Sequence, residues 1–84
     1  MRAPSILIVD DEPLMRLSMV DALKASGYEV NAAATGDDGL EQLTKAPLDI
    51  LITDLRMPGM SGLDLLQVTK RRSPRTEVIV IKIG

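Results

Sequence analysis

Eighty-four residues suffice for one domain, and a domain this short buries roughly 60 % of the surface its unfolded chain exposes. The composition is globular, 45 % hydrophobic and 26 % charged, and Tyr28 is the only aromatic residue, so the core must be aliphatic. A net charge of −2 argues against a dedicated nucleic-acid binder; the lack of cysteine excludes disulfides and thiolate zinc sites; the lack of histidine removes the commonest general base. Any metal chemistry here must use oxygen ligands, which favours magnesium, calcium or manganese. No apolar run approaches the roughly 20 residues of a membrane-spanning helix. The first residues lack a signal-peptide pattern, so a soluble cytoplasmic protein is expected.

The first element is the uninterrupted apolar run Ile6-Leu7-Ile8-Val9. A short β-branched run without alternation is how a strand buried on both faces of a parallel sheet reads. Asp10 and Asp11 follow it. Pro13 suits the first turn of a helix, where its missing N–H costs nothing. Leu14, Leu17, Val20 and Leu23 recur at helical spacing, and Gly27 is a plausible stop. Tyr28 to Ala33 reads as a weaker strand, with Val30 and Ala32 on one face.

Thr35 is placed to cap a second helix, with Asp37 and Asp38 favouring the dipole in its first turn. Leu40 and Leu43 supply its buried stripe, and Pro47 ends it. Leu48 to Ile52, broken by Asp49, is the third strand, and Asp54 closes it. Ser61 is placed to cap a third helix carrying Leu63, Leu66 and Val68. That helix ends in Lys70, Arg71 and Arg72, with Pro74 beyond and Arg75 after it. Val78-Ile79-Val80-Ile81 is the fourth strand. The order β-α-β-α-β-α-β predicts an α/β fold: a doubly wound parallel sheet in three layers. Neither a repeat nor a linker interrupts it, so residues 1–84 read as one domain.

In such sheets ligands bind at the carboxyl ends of the strands. Asp10 and Asp11 end the first strand and Asp54 ends the third, which neighbour one another in the flavodoxin-like strand order. Three carboxylates converging on one crevice repel one another, and at least one pKa should rise. A hard divalent cation relieves that repulsion, and magnesium suits a few carboxylates plus water. Any one of these acids taken alone reads more readily as a strand end or cap than as a site. Glu12 begins the helix and is expected to point away.

The segment Thr53-Asp54-Leu55-Arg56-Met57-Pro58-Gly59-Met60-Ser61-Gly62 changes the weighting. Together with Asp10, Asp11, Glu12 and Pro13, it resembles the receiver family of response regulators in two-component signalling. The aspartate, the Met-Pro pair three and four residues on, and the glycine at the eighth match as Asp54, Met57, Pro58 and Gly62. The resemblance runs from about Ser5 to Ile81. It implies that Asp54 takes a phosphoryl group from the phosphohistidine of a sensor histidine kinase or phosphotransfer protein, making the chain a phosphoacceptor rather than an enzyme. It implies Mg2+ held by Asp10, Asp11, Asp54 and the backbone carbonyl of Arg56. It implies that Pro58 and Gly59 shape the loop and that Gly62 lets the next helix start close by. The exposed face of the first helix near Leu14 and Leu17 would either dock a kinase or pack in the core.

Three departures from the family pattern are expected to matter. The family has five strands and five helices, and this chain reads as cut short after the fourth strand. A Ser or Thr ends the fourth strand in the family, followed by a small residue; here Lys82 and Ile83 stand at those positions. The lysine that ends the family's fifth strand has no counterpart, so Lys82 either reaches into the pocket in its place or points to solvent. The bare fourth strand is expected to pair with another copy as a homodimer or swapped oligomer. A dimerising module that is no longer phosphorylated is the alternative reading. A magnesium phosphohydrolase using an aspartate nucleophile is a distant third, because the Met57-Pro58 loop has no place in it. Neither direct nucleic-acid binding nor membrane contact is expected, and the basic cluster from Lys70 to Arg75 reads as a solvated helix end.

Overall fold

The computed structural model of the chain describes residues 2–82. Its elements alternate as β1 (Ser5–Val9), α1 (Pro13–Ala25), β2 (Glu29–Ala33), α2 (Gly36–Lys45), β3 (Ile50–Asp54), α3 (Gly62–Arg72) and β4 (Glu77–Ile81). The strands form one parallel sheet in the order β2-β1-β3-β4. The chain reverses direction across the sheet between β1 and β3, the switch point at which such folds bind ligands. This is the flavodoxin-like α/β architecture expected. No helix among the described residues is long and apolar enough to cross a membrane.

Successive side chains of a strand point to opposite faces, so the apolar runs feed two cores at once. Ile6, Ile8 and Val30 form one core with Met19, Val20 and Leu23 of α1 and with Ile50 and Ile52. Leu7, Val9, Ala33, Leu51, Met57 and Leu65 form the other, under α2 and α3. Gly39 lets α2 lie close to β1, since an added β-carbon would stand 2.8 Å from Val9 Cγ2.

The helix caps fall where the side chains foretell. Pro13 opens α1, and Thr35 accepts the Asp38 N–H at 3.1 Å. Ser61 and Asp64 form a reciprocal capping box at the start of α3. Glu12 caps α1 by accepting the Leu14 N–H at 3.2 Å, and it is not part of the cluster formed by Asp10, Asp11 and Asp54.

Three expectations need correction. The third strand runs Ile50–Asp54 instead of Leu48 to Ile52. Leu48 and Asp49 are spent tying elements together: the Leu48 carbonyl accepts from Thr76 Oγ1 at 2.7 Å, and Asp49 Oδ2 accepts from the Ser5 N–H at 2.8 Å. Thr53 and Asp54 instead continue the ladder opposite Val80 and Ile81.

The inward stripe of α3 is Gly62, Leu65 and Thr69, whereas Leu63 is 54 % exposed. Gly62 lies against the backbone of Asp54 and Leu55, and that contact fixes the rotation of the whole helix. The stripe of α1 is likewise Met19, Val20 and Leu23. Leu14 and Leu17 are 74 % and 57 % exposed, because α1 packs on the β1–β2 half of its face through the other side of the helix.

Candidate functional site

The site is built at the carboxyl ends of the two central strands. β1 delivers Asp10 and Asp11, and β3 ends on Asp54. Carboxylate oxygens from these three residues lie within 4.8 Å of one another. Asp10 is buried, Asp54 half-buried and Asp11 exposed, so the cluster grades from protein interior to solvent.

Asp10 is held on almost every side. Its N–H donates to the Ala33 carbonyl at 3.1 Å, and its Oδ1 accepts the Glu12 N–H at 2.9 Å. Its carbonyl oxygen accepts from Arg16 Nη1 at 2.7 Å. Oδ2 alone is buried without a hydrogen-bond partner. Burial holds the Asp10 carboxyl above the ordinary aspartate range. The Glu12 N–H pulls it down; the Asp54 and Asp11 charges push it up again, and the Arg16 guanidinium weakly lowers it. The rise foreseen for this cluster therefore falls on its most buried member, with desolvation as the main cause.

The loop after β3 is organised by short backbone bonds. The Leu55 N–H donates to Ile81 at 2.8 Å, and the Gly62 N–H donates to Leu55 at 2.9 Å. At Gly62 the demand is steric: a β-carbon there would run into the Asp54 carbonyl oxygen. Met57 drops into the core beside Leu51 and Leu65, which anchors the loop from below. Pro58 is exposed at the turn, and Gly59 takes a left-handed φ of +77°. Arg56 lies two residues beyond Asp54 with its side chain in solvent.

Lys82 lies directly beyond β4 and is exposed. The single ion pair among the described residues joins Lys45 to Glu41, so Lys82 makes none with the acids of the cluster. Ile83 falls outside the described residues. Sequence reasoning missed Arg16, which reads as one more charge on an amphipathic helix. The available signal was its position: helical side chains lean toward the N-terminus, so an arginine one turn into α1 leans back over the end of β1.

The donor set fits a hard cation. It consists of oxygen ligands alone, carries excess negative charge, and keeps one buried carboxylate oxygen without a partner. A parallel α/β domain with an acidic crevice at its switch point and an aspartate ending the third strand defines a class of phosphate- and metal-handling domains.

Comparison with known proteins narrows that class. The response regulator receiver domain family matches residues 6–83, and the chain belongs to it. The DNA-binding transcriptional regulator NtrC of Klebsiella pneumoniae is 39 % identical over 74 residues, 88 % of this chain and 16 % of that protein. The chemotaxis protein CheY of Thermotoga maritima is 36 % identical over 89 % of this chain and 63 % of its own length. The response regulator TrrA of Thermotoga maritima, solved with Mg2+–BeF, superposes with a TM-score of 0.89 at 32 % identity, over 94 % of this chain and 69 % of that one. The same regulator has been solved in complex with the histidine kinase ThkA. The chain thus spans less than a fifth of NtrC and about two thirds of CheY and of TrrA. It is a receiver domain of the two-component response-regulator type.

Proposed function

We propose that Asp54 accepts a phosphoryl group from the phosphohistidine of a sensor histidine kinase or phosphotransfer protein. A carboxylate oxygen of Asp54 attacks phosphorus, the bond from phosphorus to the imidazole nitrogen breaks, and the donor nitrogen leaves with the electron pair. The product is an acyl phosphate on Asp54 and a free histidine on the donor. The observation that carries this reading is the convergence of Asp10, Asp11 and Asp54 on one point, with Asp10 Oδ2 buried and unpartnered.

A carboxylate is a weak nucleophile, so placement and charge compensation supply most of the rate. Asp10, Asp11, Asp54 and the Arg56 backbone carbonyl would hold Mg2+, which when bound neutralises charge on the carboxylates and on the incoming phosphoryl oxygens. Among the chain's own residues, Gly62 and Met57 fix the loop behind Asp54, and Asp10 is immobilised through its backbone. TrrA, solved with Mg2+–BeF and with ThkA, is the relative that supports both the cation and the kinase. The exposed Leu14 and Leu17 beside the crevice form the surface on which the donor would dock. The chain turns over no substrate of its own and acts in the cytoplasm.

The test is incubation with acetyl phosphate and Mg2+ followed by intact-mass spectrometry. The wild type is expected to gain one phosphoryl group that Asp54→Asn does not. An adduct of equal yield in Asp54→Asn refutes the assignment.

Self-association is the second element of the reading. β4 pairs with β3 along one edge, and among the described residues nothing pairs with the other. Ile79 is 48 % exposed on the face that α1 leaves open. An apolar strand with a free edge is a template for pairing, so the 84-residue chain forms a dimer through β4.

A further inference from the structure

We infer that Arg16 is a positioning residue for the acidic site, clamping the peptide plane between Asp10 and Asp11 so that both carboxylates face one divalent cation. The inference rests on the receiver reading and concerns how the ligand pair is kept in place.

Arg16 lies in the second turn of α1 and is partly buried. Its Nη1 donates to the Asp10 carbonyl oxygen at 2.7 Å, the length of a charge-assisted bond. Competing acceptors are at hand. Asp38 and Glu41 line the same surface cleft as Arg16, yet Arg16 is in no ion pair among the described residues. The guanidinium is committed to a main-chain carbonyl in preference to exposed carboxylates.

The geometry gives that bond its consequence. The carbonyl of Asp10, the N–H of Asp11 and both α-carbons belong to one rigid plane. Fixing the carbonyl therefore fixes the direction in which Asp11 leaves β1. The Asp10 N–H on Ala33 and Oδ1 on the Glu12 N–H remove the remaining freedom on the other side. What is left to Asp10 is Oδ2, buried and without a partner, on a carboxylate that lies within reach of those of Asp54 and Asp11. Without Arg16 this plane could rotate, and two ligands would lose their common focus together.

Charge alone predicts the opposite effect on metal binding, which makes the sign decisive. A guanidinium beside the site repels a cation, so a purely electrostatic Arg16 would weaken Mg2+ binding and its removal would tighten it. A positioning Arg16 gives weaker binding on removal. Outer partners of metal ligands are typically worth 10–100-fold in affinity, and a backbone-directed one belongs at the low end, about tenfold.

The test is the Mg2+ dissociation constant by titration calorimetry at neutral pH for the wild type, Arg16→Met and Arg16→Lys, with urea unfolding of each in chelator as the folding control. The expected result is a Kd about tenfold higher for Arg16→Met. For Arg16→Lys, which keeps the charge and one donor without the planar fork, the rise is about threefold. If Arg16→Met does not fold, Arg16→Lys carries the test. A Kd unchanged or lower in the folded variants overturns the inference while leaving the receiver reading intact. A wild type that binds no Mg2+ overturns that reading and this inference with it.

Discussion

Replacing Asp10 by asparagine should stabilise the metal-free chain while abolishing its response to Mg2+. The substitution keeps an oxygen for the Glu12 N–H and removes one charge from a cluster whose carboxylate oxygens lie within 4.8 Å of one another. Two unit charges that far apart repel by about 1 kcal/mol in water and about 3.5 kcal/mol at an effective dielectric near 20. Asp11 is exposed and Asp54 half-buried, so the lower part of that range applies, and the gain is about 1–2 kcal/mol. For a domain of this size that is a rise in Tm of roughly 5–15 °C.

The pH dependence carries the same sign. Burial holds the folded-state pKa of Asp10 above its ordinary value of 3.8. Between those two values the folded chain binds more protons than the unfolded one. The stabilisation is therefore full at low pH and is lost as pH rises through the raised pKa. That loss should vanish in Asp10→Asn. With Mg2+ at a hundred times its Kd the wild type should gain about 2.7 kcal/mol, and the variant almost nothing. Thermal and urea unfolding with chelator and with Mg2+ measure all of this. A variant less stable than the wild type in chelator, or equally stabilised by Mg2+, refutes the reasoning.

The packing makes further predictions. Leu65→Ala should cost about 2–5 kcal/mol in urea unfolding, and Leu63→Ala less than about 0.5 kcal/mol, since Leu65 is buried and Leu63 faces solvent. Gly62→Ala should cost about 3 kcal/mol, because the obstacle is backbone that has no flexible end to move aside. Gly59→Ala should cost only about 1 kcal/mol, for its left-handed φ in open space. Ile79→Lys should shift the chain from dimer to monomer in sedimentation velocity; a wild type that is already monomeric at micromolar concentration refutes pairing through β4.

Much of the fold was legible because the relevant signals are local. Short β-branched runs mark buried parallel strands, and Thr35, Ser61 and Pro13 announce helix starts through their own chemistry. The acids were legible too, since a residue that ends a strand of such a sheet is already assigned to the ligand-binding edge. What stayed hidden depends on how elements rotate against one another. A leucine-rich helix reveals that a stripe exists, but Leu63, Leu65 and Leu66 compete for it, and the choice falls to the contact at Gly62. Leu14 and Leu17 follow the helical period and still face solvent, because α1 packs on the sheet through Met19, Val20 and Leu23. The tie from Arg16 to Asp10 joins a side chain to a backbone oxygen, and no residue type at either end encodes it. The start of β3 was misplaced for a similar reason, as Leu48 and Asp49 are apolar and acidic residues used for cross-links.

The sheet order has a consequence for how the site behaves in time. The acids are carried by β1 and β3, and each of these strands has a hydrogen-bonded neighbour on both sides. Backbone amides of Leu7 to Val9 and Leu51 to Thr53 should exchange with solvent deuterium only through the largest openings, while those of β2, the outer strand beside β1, exchange through partial ones. Fraying at the β2 rim then leaves the spacing between Asp10 and Asp54 untouched. The crevice is a fixed gauge mounted on the slowest-opening pair of strands, and the parts of the domain free to fluctuate are the ones that do not set it.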